Sequence, residues 1–286
     1  MLILISLHEA KCDPYNLTKR IVGGYNCSVE RFPFMVSIWE TMSMKHFCGG
    51  TLIKPSFVLT AAYCMQQYES YPHLITVVSG MSQFNQAGLQ RRQASTIFIH
   101  RNYNPKDFSY NIAVIHLEDP FIMNNYVTKF IKLPPFPINV DLIHLCKVMT
   151  AIGWGHDKWM PDTPGTDKFN HVLQCVDLPL ISTSECASRN MGTLHFSFVC
   201  AMGTGKDVCQ GDAGGPLLCG DTQYGIVSRG YGCGMNDQPG YYTRIDRFLS
   251  FIDLATNIPA KKRSRGVVFF WSTKLIVIFA LFMELV

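Results

Sequence analysis

The sequence predicts an all-β domain from about residue 21 to about residue 258, and the pattern of short segments is the reason. Runs rich in Val, Ile, Phe and Thr, such as Phe34 to Trp39 and Thr51 to Thr60, are separated by clusters of Gly, Pro and Asn. Such punctuation is typical of a β-sandwich or β-barrel, not of alternating strands and helices. The Pro-rich stretch Leu133 to Pro137 is the expected link between two halves. Only Asp246 to Ala255 has apolar residues at helical spacing, which predicts one helix at the end of the domain.

The overall composition limits the class of protein. The chain has 286 residues, of which 48% are hydrophobic, so it can bury a large core and is not predicted to be disordered. Its formal charge of +4 is spread along the chain apart from a basic cluster at 261–265, which disfavours nucleic-acid binding. Eleven Cys without a CxxC pair indicate disulfide bonds in an oxidising compartment, and hence a secreted or extracellular protein.

Both ends of the chain differ from the domain between them. Residues 1–20 begin with a short apolar run, Met1 to Leu7, which is either a clipped signal peptide or the result of a start codon assigned too late. Residues 259–286 combine a basic spacer with the nearly apolar segment Gly266 to Val286, which Lys274 interrupts. This layout favours membrane attachment, through a lipid-anchor signal or a single-pass anchor, and an artefact of the gene model is the alternative.

Six blocks of sequence carry a family resemblance. They are Ile21–Gly24 (IVGG), Phe47–Ile53 (FCGGTLI), Leu59–Cys64 (LTAAYC), Gly205–Pro216 (GKDVCQGDAGGP), Gly225–Gly234 (GIVSRGYGCG) and Gln238–Thr243 (QPGYYT). In this order they make the chain resemble the chymotrypsin and trypsin family of serine proteases, peptidase S1, from Arg20 to about Ile258. The resemblance implies two six-stranded antiparallel Greek-key β-barrels, at about 21–134 and 135–245, followed by a short helix at about 246–256.

The resemblance also implies a disulfide framework. It pairs ten of the eleven Cys, as Cys27–Cys175, Cys48–Cys64, Cys146–Cys219, Cys186–Cys200 and Cys209–Cys233. In the chain-entropy model, each bridge adds about 2 to 4 kcal/mol to the free energy of unfolding. Cys12, which precedes the domain, is left over and is either a tether to another chain or a free thiol.

Three positions that carry catalysis in the family hold other residues here. Peptide hydrolysis by this family needs a hydroxyl nucleophile, an imidazole base and a carboxylate that orients the imidazole. The resemblance places Tyr63 at the base, Asn111 at the carboxylate and Ala213 at the nucleophile. A phenol with a pKa of about 10 is a poor base near neutral pH, an amide has no charge, and a methyl group cannot attack. In a related triad, loss of the nucleophile alone lowers kcat about 2 × 10⁶-fold, so we predict a non-catalytic homologue.

Other parts of the family's machinery are retained. The dipeptide that ends at Arg20 is a cleavage site for a trypsin-like protease, and in the family the freed ammonium of the next residue, Ile21, pairs with the residue at Asp212. We expect that this activation either still orders the cleft or is an unused inheritance. The backbone N–H groups of Gly211 and Ala213 are expected to form the remnant of an oxyanion hole, because they do not depend on the missing hydroxyl.

The specificity pocket of the family is also recognisable. Asp207 lies where trypsin-like enzymes hold the carboxylate that receives Arg or Lys, and Gly230 and Gly240 are expected to leave the pocket walls open. Ser228 and Arg229 occupy the position of the usual Ser-Trp pair. Arg229 has two expected conformations: it points to solvent, or it folds over the mouth and occupies Asp207.

The sequence is compatible with three functions. The first is a pseudoprotease that acts as a binding cofactor, decoy or scaffold in an extracellular proteolytic cascade. Its expected partners are active proteases, protease inhibitors or peptides with a basic side chain, together with an activating trypsin-like protease. The second is an active endopeptidase of trypsin-like specificity with an unorthodox mechanism, and the third is a membrane-anchored surface interaction protein. No cofactor is expected, and no metal, since the loop from Met81 to Arg92 lacks paired carboxylates.

Overall fold

The computed structural model describes residues 21–84, 89–124, 126–156, 172–190, 192–235 and 238–257. The chain divides into a compact unit that ends at Thr256 and a second unit from Asn257 to Val286. Both β-barrels belong to the first unit. The N-terminal segment with Cys12 and the hydrophobic C-terminal tail, which the sequence singled out, lie outside the described residues.

Six strands of the N-terminal half form the first barrel. After a two-residue strand, β1 (Tyr25–Asn26), they are β2 (Met35–Glu40), β3 (Lys45–Lys54), β4 (Phe57–Thr60), β5 (Ile75–Ser79), β6 (Gln90–Ile99) and β7 (Ala113–Leu117). All neighbours are antiparallel, and the barrel closes in the order β2-β3-β4-β7-β6-β5. The run Thr51 to Thr60 is divided between β3 and β4, because the chain turns at Pro55 and Ser56. Buried side chains such as Leu52, Val58 and Ile115 fill this barrel.

The second barrel has the same strand count. Its strands are β8 (Val148–Gly153), β9 (Gln174–Ile181), β10 (Phe198–Ala201), β11 (Pro216–Cys219), β12 (Thr222–Arg229) and β13 (Gly240–Arg244). They run in the order β9-β10-β13-β12-β11-β8, and pairing of β8 with β9 closes the barrel. The prediction of two six-stranded antiparallel barrels is confirmed. Strand β1 adds to β9, with Tyr25 opposite Cys175, so the start of the domain belongs to the second barrel's sheet.

Within the described residues, three short α-helices accompany the barrels. They are α1 (Ala62–Met65), α2 (Thr183–Arg189) and α3 (Leu249–Asn257). The helix expected at about 246–256 begins only at Leu249, because a separate 3₁₀ turn, Ile245–Arg247, precedes it. Buried Asp246 in that turn accepts a hydrogen bond from Arg244 Nε at 2.7 Å and one from the Ile138 N–H at 2.9 Å. This contact ties the start of the turn to the segment between the barrels.

The disulfide framework is the one that the resemblance implied. All five pairs are present, namely Cys27–Cys175, Cys48–Cys64, Cys146–Cys219, Cys186–Cys200 and Cys209–Cys233. Two of them support the functional region directly. Cys48–Cys64 fixes α1 to β3, and Cys209–Cys233 joins the two loops that follow β10 and β12.

Candidate functional site

A cleft of about 430 Å³ opens between the two barrels. Phe47, Tyr63 and Phe108 line it from the first barrel, and the second barrel supplies the other wall from residues 208–211, 213, 227–230, 232 and 233. Six of the predicted site residues therefore line one cleft, namely Tyr63, Gly211, Ala213, Ser228, Arg229 and Gly230.

Asn111 is fully buried behind the cleft, and its side-chain amide is bonded on both sides. Its Oδ1 accepts a hydrogen bond from the Tyr63 N–H at 2.8 Å, and its Nδ2 donates to Ser228 Oγ at 2.8 Å. Thr243 Oγ1 donates to the Asn111 carbonyl oxygen, also at 2.8 Å. A neutral amide supplies one acceptor and one donor here without placing a charge in the core. Asn111 therefore works as a structural bridge between the barrels.

Tyr63 turns its side chain along the cleft wall. It belongs to α1, and 48% of its surface is exposed. Its ring centroid lies 5.4 Å from that of Phe108, with the ring planes tilted by 41°. Aromatic contacts of this kind stabilise the wall by apolar contact. Among the described residues no group hydrogen bonds to the Tyr63 hydroxyl, so nothing in that range activates it as a base.

Ala213 has only a methyl side chain, but its backbone is firmly placed. Its carbonyl oxygen accepts from the Gly49 N–H at 2.8 Å, and the neighbouring Gly211 carbonyl accepts from His46 Nε2 at 3.0 Å. Gly211 has a φ of +96°, a left-handed conformation that favours glycine. Within the described ranges, neither the Gly211 N–H nor the Ala213 N–H has an acceptor. Two backbone donors beside the cleft are thus available to a ligand oxygen.

His46 supports this loop from behind and was not singled out in the sequence. It is buried, and its Nδ1 lies 2.7 Å from Ser37 Oγ, which also accepts from Trp39 Nε1. Burial lowers the pKa of His46 to about 4, so the ring is neutral above that pH. A neutral ring with Nε2 protonated donates to Gly211 and accepts at Nδ1, as the contacts require. No local pattern marks His46, because Gly211, the partner that connects it to the cleft, is 165 residues away in the sequence.

Asp207 does not itself line the cleft but directly precedes Val208, which does. Its Oδ1 accepts from the Val208 N–H and its Oδ2 from the Gly234 N–H, both at 2.9 Å. Only 8% of the residue is exposed, and burial raises its pKa to about 6 although these two hydrogen bonds oppose the shift. A Cβ on Gly240 would lie 3.3 Å from Asp207 Oδ1, so glycine keeps this region open. A carboxylate that ionises near pH 6 and is poorly solvated is suited to a cationic group.

Arg229 adopts neither of the two conformations that we expected. Its guanidinium lies 4.4 Å from the centroid of the Tyr241 ring and 5.7 Å from those of Phe198 and Tyr231. These cation–π contacts hold it against the surface of β10 and β13. No ion pair joins it to Asp207 or to any other carboxylate in the described part of the chain. The expectation that Arg229 occupies Asp207 is wrong, and so is the expectation that it simply points to solvent.

Asp212 is the second buried carboxylate near the cleft. It is completely buried, and its oxygens accept from the Gly155 N–H at 2.8 Å and the Cys209 N–H at 2.9 Å. Burial raises its pKa to about 7, and these hydrogen bonds only partly offset the effect. The described residues place no side-chain cation on it. Ile21 is also fully buried, with a φ of +58°, and packs in the core of the second barrel.

The described residues contain no cluster of three or more His, Cys, Asp or Glu that is suited to a metal ion. Over the same ranges, no helix has the length and apolar character needed to cross a membrane.

The fold and the cleft together define a protein of the serine-protease type, with two barrels and the site between them. A family model described as "Trypsin" matches residues 21–252. The chain is 34% identical over 242 residues to trypsin of Sus scrofa, covering 82% of this chain and 94% of the relative. It is likewise 34% identical over 260 residues to anionic trypsin of Canis lupus familiaris, covering 88% and 96%, and 33% identical over 257 residues to serine protease 1 of Homo sapiens, with the same shares. The chain belongs to the trypsin family.

Proposed function

We propose that this protein binds extracellular polypeptides in its cleft without cleaving them, and acts as a cofactor, decoy or scaffold for active proteases or their inhibitors. The observation that carries the proposal is the state of the three catalytic positions. Tyr63, Asn111 and Ala213 supply a cleft wall, a structural amide and a methyl group. Neither Cys64, whose Sγ lies 3.7 Å from the Ala213 carbonyl oxygen, nor Cys209 can replace the nucleophile as a thiol, because both are in disulfides.

Binding is supported by what remains around these positions. The N–H groups of Gly211 and Ala213, which have no acceptor among the described residues, are suited to the carbonyl oxygen of a bound peptide. Buried Asp207 is suited to an Arg or Lys side chain, since charge-assisted hydrogen bonds to a poorly solvated carboxylate are strong. Five disulfides fit an oxidising compartment, which supports an extracellular place of action.

Cleavage after Arg20 is part of the same proposal. Asp212 is a buried carboxylate without a described cation, and an uncompensated buried charge costs about 3 to 5 kcal/mol. The ammonium that cleavage frees on Ile21 is the natural partner, since Ile21 is already buried in the second barrel. The chain cut at Arg20 should therefore hold the loop from Asp207 to Ala213 more rigidly than the uncut chain.

The test is a titration of full-length protein, cut at Arg20, with benzamidine, a small amidinium that mimics an arginine side chain. Saturable binding in calorimetry is expected, with at least a tenfold loss of affinity in Asp207→Asn, about the size of one charge-assisted contact. Asp221→Asn is the matched control, because the Asp221 side chain is 91% exposed in the turn between β11 and β12 and does not line the cleft. Absence of saturable binding, or equal affinity in Asp207→Asn, would reject the pocket.

A further inference from the structure

Arg229 brings a positive charge into the wall of the cleft. It lines the cleft beside Ser228 and Gly230, whereas Asp207 lies behind Val208. Its guanidinium lies against the rings of Phe198 in β10 and Tyr241 in β13, which are not part of the cleft lining. Asp207 and Arg229 therefore form no ion pair with each other, and each charge is available to a ligand.

The guanidinium of Arg229 is poorly satisfied within the described structure. Its Nη1 makes one long hydrogen bond to the Tyr231 hydroxyl at 3.4 Å, and its buried Nε has no partner. No carboxylate in the described ranges lies within ion-pair distance. Burial raises the pKa of Asp107, but hydrogen bonds from Ser109 and the charges of His195 and Arg229 together lower it below its usual range. Asp107 is thus an acidic neighbour of Arg229 without being its ion-pair partner.

The position of this charge is fixed by packing. The rings of Phe198 and Tyr241 lie 5.8 Å apart in a T-shaped contact, and both residues are buried. Arg229 is paired with Tyr241 in the register of β12 and β13, which places the guanidinium over that ring. A guanidinium that is oriented in advance loses less entropy when it forms two parallel hydrogen bonds to a carboxylate.

We propose that Arg229, with the Tyr231 hydroxyl beside it, forms a subsite for a carboxylate, so that the cleft selects peptides carrying an acidic residue close to the basic anchor. This inference rests on the proposed peptide-binding function and deepens it. Asp107 competes with the peptide carboxylate for the positive charge of Arg229. The subsite is therefore expected to favour a peptide with Asp over one with Asn by only a modest factor. The expected factor is about fivefold to tenfold, that of one partly exposed charge-assisted contact.

The experiment uses full-length protein cut at Arg20 and a matched set of peptides. The parent is acetyl-Gly-Gly-Gly-Arg-amide, and Asp or Asn replaces each Gly in turn. Affinity is measured by displacement of p-aminobenzamidine, a fluorescent ligand for the pocket at Asp207. At one position the Asp peptide should bind about fivefold to tenfold more tightly than the Asn peptide, and 0.5 M salt should reduce the difference.

Variants assign the effect to one side chain. Arg229→Gln should abolish the preference for Asp, while Arg229→Lys, which offers a point charge without the planar fork, should keep part of it. The matched control is Arg91→Gln, because Arg91 also lies over an aromatic ring, 5.6 Å from the Trp39 centroid, but outside the cleft lining. Equal affinities of Asp and Asn peptides at all three positions would overturn the inference. So would a preference that survives in Arg229→Gln with a native unfolding transition.

A second measurement separates failure of the subsite from failure of the pocket. If p-aminobenzamidine does not bind, the pocket proposed at Asp207 is rejected, and the subsite is tested by nuclear magnetic resonance. The Nε–H signal of Arg229, assigned by its loss in Arg229→Gln, should shift on titration with the Asp peptide and not with the Asn peptide. No shift with either peptide would overturn the carboxylate subsite.

Discussion

The side of the cleft with the three triad positions and the side with the pocket at Asp207 differ in which features of the family they retain. On the triad side, Tyr63, Asn111 and Ala213 stand at the positions to which the family resemblance assigns the catalytic side chains. On the pocket side, the retained features are the buried carboxylate of Asp207, two backbone N–H groups without a described acceptor, the glycines and a disulfide. A single substitution removes a side-chain function, whereas a backbone arrangement is maintained by the whole fold. Under the proposed function, the cleft lacks the catalytic side chains of the family and keeps the groups that would bind a peptide.

The largest expected effect is on turnover. The triple variant Tyr63→His, Asn111→Asp, Ala213→Ser should hydrolyse an arginyl amide, because the cleft around the triad is otherwise retained. The matched control keeps Asn111 and carries only the other two changes, and its kcat should be about 10⁴-fold lower, since the imidazole then lacks its orienting carboxylate. Steady-state fluorescence of a released leaving group measures both. A wild-type protein as active as the triple variant would contradict the account of the triad side.

A smaller effect concerns the packing around Asp212. A Cβ added at Gly155 would collide with the Asp212 carboxylate, so Gly155→Ala should lower the free energy of unfolding by about 3 kcal/mol. Gly230→Ala is the control, because its Cβ would meet only the Gly232 carbonyl oxygen at 3.5 Å. Urea unfolding measures both variants. Equal stabilities would mean that Asp212 is not held as tightly as the contacts indicate.

The next effect is a dependence of benzamidine affinity on pH. The amidinium needs ionised Asp207, whose pKa burial raises to about 6. Affinity should therefore be constant well above pH 6 and fall about tenfold for each pH unit below it, because the fraction of carboxylate falls by that factor. Calorimetry between pH 4.5 and pH 8 would show this. If benzamidine affinity did not depend on pH, or depended on pH equally in Asp207→Asn, the amidinium would bind at a site other than Asp207.

The smallest effect is expected at Tyr63. Its side chain is half exposed and contacts Phe108, so Tyr63→Ala should lower the free energy of unfolding by no more than about 1 kcal/mol. Tyr103→Phe gives a comparison at a buried phenol that has no described partner. Thermal unfolding followed by circular dichroism would detect either change. A loss of several kcal/mol at Tyr63 would indicate that this residue is structural in a way that its exposure does not suggest.

Much of the fold could be predicted because the family motifs and the cysteine positions can be identified directly in the sequence. The two barrels and the five disulfides follow from blocks such as Ile21–Gly24 and Gly205–Pro216. Helix α2 was missed although Ser182 and Glu185 form the pattern of a capping box, and Ser182 Oγ does accept from the Glu185 N–H. A helix of seven residues is too short to show a clear apolar period.

The conformation of Arg229 could not be predicted for a different reason. It depends on rings from β10 and β13 that meet only in the folded barrel, and on the register that puts Tyr241 opposite Arg229. The role of His46 depends in the same way on Gly211, which is 165 residues away in the chain. Local sequence patterns identify which residues belong to a motif, but tertiary packing determines which side chains these residues contact.

The most direct test of a binding cleft without catalysis is mass spectrometry of an arginine-containing peptide incubated with a stoichiometric amount of the protein cut at Arg20. The account predicts that the peptide is recovered intact after days, while the triple variant cleaves it after Arg under the same conditions. Cleavage after Arg by the wild-type protein, prevented by Asp207→Asn, would show a working protease and contradict the central claim.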